Sequence, residues 1–397
     1  MNPVERFIKY TKVDTQSDDT TGTTPSTEKQ KNLSRLLVEE LKELGVNDAY
    51  MDEYGIVYGH LKGEGDMKLG FNAHVDTALE VSGANVNAQI IKNFNGVAKL
   101  NDELSLTVDQ FPTLKKHIGK DLVVTDGTTL LGADDKAGIA IIMSALEYFH
   151  EHPEVKHKNL SISFTVDEEI GEGPKHFSLE KMDADYAYTI DGGDIESIEI
   201  ENFNAKGVQV NIKGVSVHPG EGKNALINAC LLLNELINAM PKGDTPFEAG
   251  FDDGYWHIND IEGEVDHASM SMILRDFDKE KLNRRAEILL KKAEELNKQY
   301  PKANVDVKIY DQYENMREYV DKDPTPVNMA LEVLKKHGLN PRISKIRGGT
   351  DGATFSKMGL LTPNLGTASS NHHGRYEYLV IQDFEKMIEI VKDLMKY

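Results

Sequence analysis

One cysteine among 397 residues excludes an intrachain disulfide. No apolar run approaches the ~20 residues that a bilayer-spanning helix needs, so no transmembrane segment is expected. The opening MNPVERFIKY lacks both the basic n-region and the apolar h-region of a secretory signal. With the lone Cys230, that points to a reducing cytoplasm. Basic residues are in short supply as well: 45 Lys and Arg stand against 66 Asp and Glu, for a net charge of −21. Such a field repels a nucleic-acid backbone, and no basic patch interrupts it, because the Lys and Arg residues are interspersed with acids. The reading is a solvated acidic surface with neither a nucleic-acid nor a membrane partner. Internal repeats and low-complexity stretches are also absent.

What is present suits a globular protein, with 39% hydrophobic and 28% charged residues. The length is too great for one ordinary core, so two domains are expected. Asn2 caps a first helix that opens on Pro3 and runs to about Lys12. A second starts at Thr27, with Gln30 completing a capping box, and stops at Gly45. Strands are read at Ile56–Leu61, Lys68–Ala73, Leu160–Val166 and Tyr186–Ile190, with a helix at Gly138–Phe149. The tail gives helix (Pro326–Lys336), strand (Ile343–Ile346), and helices near Ala353–Met358 and Asp383–Met395. Strands alternating with helices at both ends predict an α/β domain whose mixed sheet is covered by helices on both faces, formed by residues 1–203 and 316–397. Residues 204–315 read differently. Strand Gly207–Lys213, helix Ala225–Met240, strand Ala268–Arg275, helix Lys279–Gln299 and strand Val305–Tyr310 make a smaller inserted α+β domain of β-α-β-α-β order. Its exposed sheet edge or helix face can pair with a copy of itself, so a homodimer is expected.

The chemistry-bearing residues fall at the ends of the apolar strands. His74 and Asp76 follow MKLGFNA two residues apart, a spacing that puts both side chains on one side of an extended backbone. A surface His beside an Asp would look the same. Asp134-Asp135 precedes a helix, where an N-cap explains one acid and leaves the other. Asp167-Glu168-Glu169 follows strand LSISFTV, and adjacent carboxylates there repel one another unless cations are present. Asp191 ends YAYTI, and His372-His373 follows LLTPNLG at a distance. In open α/β sheets ligands collect outside the carboxyl ends of the strands. Two imidazoles and several carboxylates without Cys form a donor set suited to a pair of Zn²⁺ ions, with Co²⁺ or Mn²⁺ as substitutes.

With these segments in hand, the chain resembles the peptidase T family, within the broader group of dinuclear zinc peptidases and deacylases. The likeness runs nearly end to end through FNAHVDTA, LLGADDKAG, FTVDEEIGEGPKHF, YAYTIDGG, ENFNAKGV, VHPGEGKNALINA, ILRDFD, IRGGTDGA and NHHGRYEY. The resemblance implies that His74 and Asp191 hold a first zinc, Glu169 and His373 a second, and that Asp134 bridges both. Asp76 would be bonded behind His74, a cis peptide would follow Asp134, and Glu168 would be the general base, with His372 a neighbour only. The implied activity is release of the N-terminal residue from short peptides, with tripeptides preferred. A dipeptidase, a carboxypeptidase or an N-acyl amino acid deacylase is the alternative. A non-catalytic peptide-binding relative is disfavoured, because every presumed ligand and the base are present. Two positions depart from the family: Val166 stands in place of a Pro, and Thr-Ala-Ser-Ser precedes Asn371-His372.

Three further residues are weighed. His218 in VHPG reads as a turn residue, and the resemblance raises it to an oxyanion donor. Arg275 in ILRDFD reads as a salt-bridged strand end, or by resemblance as a clamp for a substrate carboxylate. Arg347 opens RGGTDG between a strand and a helix, either a glycine-requiring turn or a substrate contact. No G-x-x-x-x-G-K-[ST] phosphate loop occurs, there or at PGEGKN. Cys230, in ALINACLLL, is expected in the core.

Overall fold

The computed structural model describes residues 1–397. The chain forms two compact units. One comprises Met1–Ile200, Met316–Lys345 and Thr350–Tyr397; the other comprises Glu201–Asn315 with Ile346–Gly349.

The first unit is built on an eight-stranded mixed sheet. Its spatial order is Tyr50–Met51, Val57–Leu61, Asn159–Thr165, Lys68–His74, Tyr186–Gly192, Asn364–Gly366, Ser197–Asn202 and Arg342–Ile346. Leu69 to His74 are all buried, odd and even positions alike, as a strand covered on both faces requires. Helices supply that cover. Ala133–Glu151, apolar nearly all round, packs on Lys68–His74 and Tyr186–Gly192 and is flanked by helices Pro3–Thr11 and Ile381–Met395. Asn72 meets Asp351 of helix Asp351–Met358.

Lys68–His74 runs parallel to Asn159–Thr165 and to Tyr186–Gly192. The shared direction brings His74, the Asp167–Glu169 segment and Asp191 to one end of the sheet. A smaller antiparallel sheet joins Gln89–Ile91, Leu122–Val124, Tyr378–Val380 and Ser369–Ser370. The loop between its last two strands in the chain, residues 371–377, carries both His372 and His373.

Asn2 caps the first helix as expected, its Oδ1 accepting from the amides of Val4 and Glu5. The capping box at Thr27 and Gln30 does not form. The helix spans Gln30–Glu43; Thr27 donates to the Gln16 carbonyl, and the Gln30 amide is bonded to Asp167. A buried carboxylate competes better for that side chain than a helix end reachable by water.

In the second unit a four-stranded antiparallel sheet has the order Tyr255–Gly263, His267–Asp276, Asn204–Lys213, Asn304–Tyr313. Helices Ala229–Asn238 and Lys279–Gln299 pack on it. The order is therefore β-α-β-β-α-β, one strand more than the β-α-β-α-β expected. The added strand, Tyr255–Gly263, lies at a sheet edge and is mostly exposed, and its register shifts between Ile258 and Asp260. That irregularity breaks the alternation by which a strand is recognised. Cys230 is also placed differently from expectation. It is half-buried, with Sγ 3.1 Å from the Glu264 carbonyl, on the exposed shoulder of its helix beside Leu231.

Candidate metal centre

His74 ends its strand with 1% exposure, and its ring lies among carboxylates. Nε2 is 3.0 Å from Asp134 Oδ1, 3.4 Å from Asp191 Oδ1 and 4.0 Å from Glu168 Oε2. Nδ1 is 3.2 Å from the Asp76 carbonyl and 3.3 Å from Asp76 Oδ1, which fixes the ring from behind. On the other side of Asp134, Oδ2 is 3.4 Å from His373 Nε2 and 3.5 Å from His372 Nδ1. His373 Nε2 also lies 2.8 Å from Glu169 Oε2. One ligand atom from each of His74, Asp134 and Glu169 fits within 4.8 Å of the others, and the same holds for His74, Asp135 and Asp191.

The turn that presents Asp134 is tightly determined. Gly132 has φ 76°, a left-handed conformation that glycine adopts without strain, and the backbone of Asp134 and Asp135 is not helical. The Asp134–Asp135 peptide is cis. Asp135 Oδ1 accepts from the Gly138 amide at 3.1 Å, and Oδ2 from the His74 amide at 3.2 Å. Asp135 is thus the acid that the helix start consumes, and Asp134 is the one left facing the imidazoles. A Cβ on Gly138 would lie 1.8 Å from the Ile190 carbonyl oxygen, so only glycine lets this helix approach the strand that carries Asp191.

The three acids 167–169 divide their tasks. Asp167, fully buried at φ 58°, accepts from the Ser26 amide at 2.7 Å, the Ser26 hydroxyl at 2.5 Å and Gln30 Nε2 at 2.6 Å. Its charge is met by the polypeptide, so only its two neighbours face the centre. Glu169 pairs with His373, whereas the Glu168 carboxylate makes no hydrogen bond and lies beside His74. The Asp76 carboxylate accepts from the amides of both Glu168 and Glu169, each at 3.1 Å.

The electrostatics show a buried excess of negative charge. Burial, then the neighbouring Asp191 carboxylate, pushes Glu168 well above the usual carboxylate range. Burial, then Asp134, raises Glu169 to about 8. Burial would lower His373, but its bonds to Asp134 and Glu169 outweigh that and push it up to about 12. His74 is raised likewise, with Asp191 and Asp134 overcoming burial. Here the imidazoles supply the counter-charge that the carboxylates demand. A donor set of this composition fits divalent cations of borderline hardness.

His74, Asp76, Asp134, Glu168, Glu169, Asp191 and His373 are thus brought together in the first unit. His218, Arg275 and Arg347 belong to the second unit. His218 is exposed and its Nδ1 accepts from the Gly220 amide at 3.1 Å. Arg275 is buried, donates through Nη1 to the Leu274 and Lys206 carbonyls and stacks on Tyr313. Arg347 lies over the rings of Phe203 and Tyr255 and reaches the Asp253 carbonyl at 3.4 Å. Sequence reasoning missed Glu377, which accepts backbone amides around Asp134, and Ser26 and Gln30, which hold the Asp167 carboxylate from a distant segment; nothing local to them signals those roles.

Residues 124–397 match the Peptidase family M20/M25/M40. The chain is 47% identical over 396 residues to peptidase T of Clostridium perfringens, covering 99% of this chain and 98% of that one. To peptidase T of Bacillus subtilis it is 43% identical over 400 residues, covering 99% and 97%. Among solved structures, an aminopeptidase PepT from Bacillus cereus superposes with a TM-score of 0.77 at 22% identity, covering 99% of this chain and 97% of that one. A dinuclear metal binding peptidase of the M20 family from Bacillus subtilis gives 0.66 at 14% identity, covering 99% and 96%. The chain belongs to peptidase family M20/M25/M40 and, within it, to the peptidase T group: it is a peptidase.

Proposed function

We propose that this peptidase is a cytoplasmic aminopeptidase that releases the N-terminal residue of short peptides, tripeptides above others, at a two-zinc centre. The observation that carries the reading is the pair His74 and His373, set against opposite oxygens of Asp134, with an unbonded Glu168 carboxylate beside them. His74 and Asp191 would hold one cation, Glu169 and His373 the other, and Asp134 both, with Co²⁺ or Mn²⁺ able to substitute. When bound, such cations polarise a carbonyl and acidify water. Glu168 takes a proton from the attacking water and returns it to the leaving amine, which needs that proton because peptide nitrogen is a poor leaving group. Asp76 keeps the His74 ring in place for this.

Residues 204–315 are proposed as a lid and dimerisation domain. From it His218 would donate to the oxyanion. Arg275, with Nη1 already committed to backbone carbonyls, would offer Nη2 to the substrate carboxylate, and Arg347 would make a second substrate contact. Both outer strands of that domain's sheet, Tyr255–Gly263 and Asn304–Tyr313, lack a second partner strand within the chain, which favours pairing with a second copy. No helix is long and apolar enough to cross a membrane.

A panel of di-, tri- and tetrapeptides with free or blocked ends tests the reading. The highest kcat/KM is expected for tripeptides with a free amino group. Preference for N-acylated substrates would make the enzyme a deacylase, and release of the C-terminal residue a carboxypeptidase.

A further inference from the structure

Glu377 lies outside the set of side chains that face the centre, yet its carboxylate is buried to 1% exposure without an ion-pair partner. Three backbone amides meet its charge. Leu131 and Gly132 donate to Oε2 at 2.7 and 2.8 Å, and Asp134 donates to Oε1 at 3.0 Å. Its own amide donates to the Gly374 carbonyl, so Glu377 closes the loop that carries His372 and His373. A single side chain therefore ties the turn that presents Asp134 to the loop that presents His373.

We propose that Glu377 is a positioning residue that presets the Asp134 carboxylate between the two imidazoles, and that its negative charge serves metal affinity. This rests on the metal-centre reading above. Convergent amides form a nest that accepts an anion, and the two carboxylate oxygens of Glu377 between them satisfy all three donors. A neutral amide of the same shape has one accepting oxygen. In Glu377→Gln that oxygen takes the Leu131 and Gly132 amides, and the NH₂ group then faces the Asp134 amide, donor against donor. The tie to Asp134 is the one lost, and with it the direction of the Asp134 side chain. Outer partners of this kind typically change metal affinity by about 10–100-fold.

The test titrates metal-free wild type and Glu377→Gln with zinc and then cobalt. Bound metal is counted by elemental analysis, and the visible spectrum of the cobalt form reports coordination. Expected for the variant are zinc affinity at least about tenfold weaker, an altered cobalt spectrum and, in the metal-free protein, an unfolding midpoint lowered only as far as one unpaired backbone amide requires. Wild-type affinity and spectrum in Glu377→Gln would overturn the proposal while leaving the metal-centre reading intact. Wild type that takes up no metal would overturn both. Should Glu377→Gln not fold, hydrogen exchange in metal-free wild type decides. Protection of the Leu131, Gly132 and Asp134 amides equal to that in the zinc form supports a preset turn, and fast exchange in the absence of zinc refutes it.

Discussion

The Asp76 carboxylate accepts the backbone amide of Glu168 at 3.1 Å, so the residue behind His74 also fixes the segment bearing the proposed base. The Glu169 amide and the Ser17 hydroxyl share the same carboxylate. Asp76→Ala leaves two buried amides without acceptors. It is expected to cost about 2–5 kcal/mol in urea unfolding and to lower kcat along with stability.

Glu168→Gln should separate chemistry from coordination. The side chain bonds nothing in the structure, so its loss as a proton carrier is expected to lower kcat by about 10²–10⁴-fold with two metals still bound. Elemental analysis beside steady-state kinetics is the measurement. Metal lost together with activity would assign Glu168 to coordination and Glu169 to the base.

Dialysis against a chelator should abolish hydrolysis, and zinc or cobalt should restore it. Full turnover by rigorously metal-free protein would dismiss the metal mechanism.

Gly138→Ala places a methyl group against the Ile190 carbonyl and the Asp135 carboxylate. The helix must retreat from the strand, at about 1–3 kcal/mol or more, and Asp134 moves with it. Reduced kcat with a lowered melting temperature is expected. Gly348→Ala, where a Cβ meets nothing within 4 Å, is the stability control and should stay within about 0.5 kcal/mol of wild type.

His117 provides a pH signature away from the centre. Burial, then Lys116, lowers it from 6.5 to about 4 against the opposing pull of Asp383, whose Oδ2 lies 3.6 Å from a buried Nδ1 that makes no hydrogen bond. Below pH 6.5 the unfolded chain takes up a proton that the folded chain refuses until about pH 4. The unfolded state binds more protons across that window, so this contribution to stability is lost as pH falls through it, by about 3 kcal/mol in all. Unfolding free energies of wild type and His117→Gln, compared at pH 7 and 4.5, should show a smaller loss in the variant by about 2–3 kcal/mol. Equal losses would contradict the assignment.

By itself the sequence determined the alternation of strand and helix, because burial on both faces of the sheet imposes apolar runs such as those at Lys68–His74 and Tyr186–Gly192. It also determined which acids and imidazoles follow those strands. The Tyr255–Gly263 edge strand was hidden, since an exposed strand with a shifted register carries no periodic signal. The resemblance set adjacent acids apart, and only the tertiary structure supplies the physical reason for the division. Asp134 faces the imidazoles and Asp135 caps a helix because Gly132 and Gly138 set the turn between them. Asp167 turns inward because Ser26 and Gln30, some 140 residues upstream, meet its charge. Those bonds close between distant segments, and each depends on a neighbour that only the fold supplies.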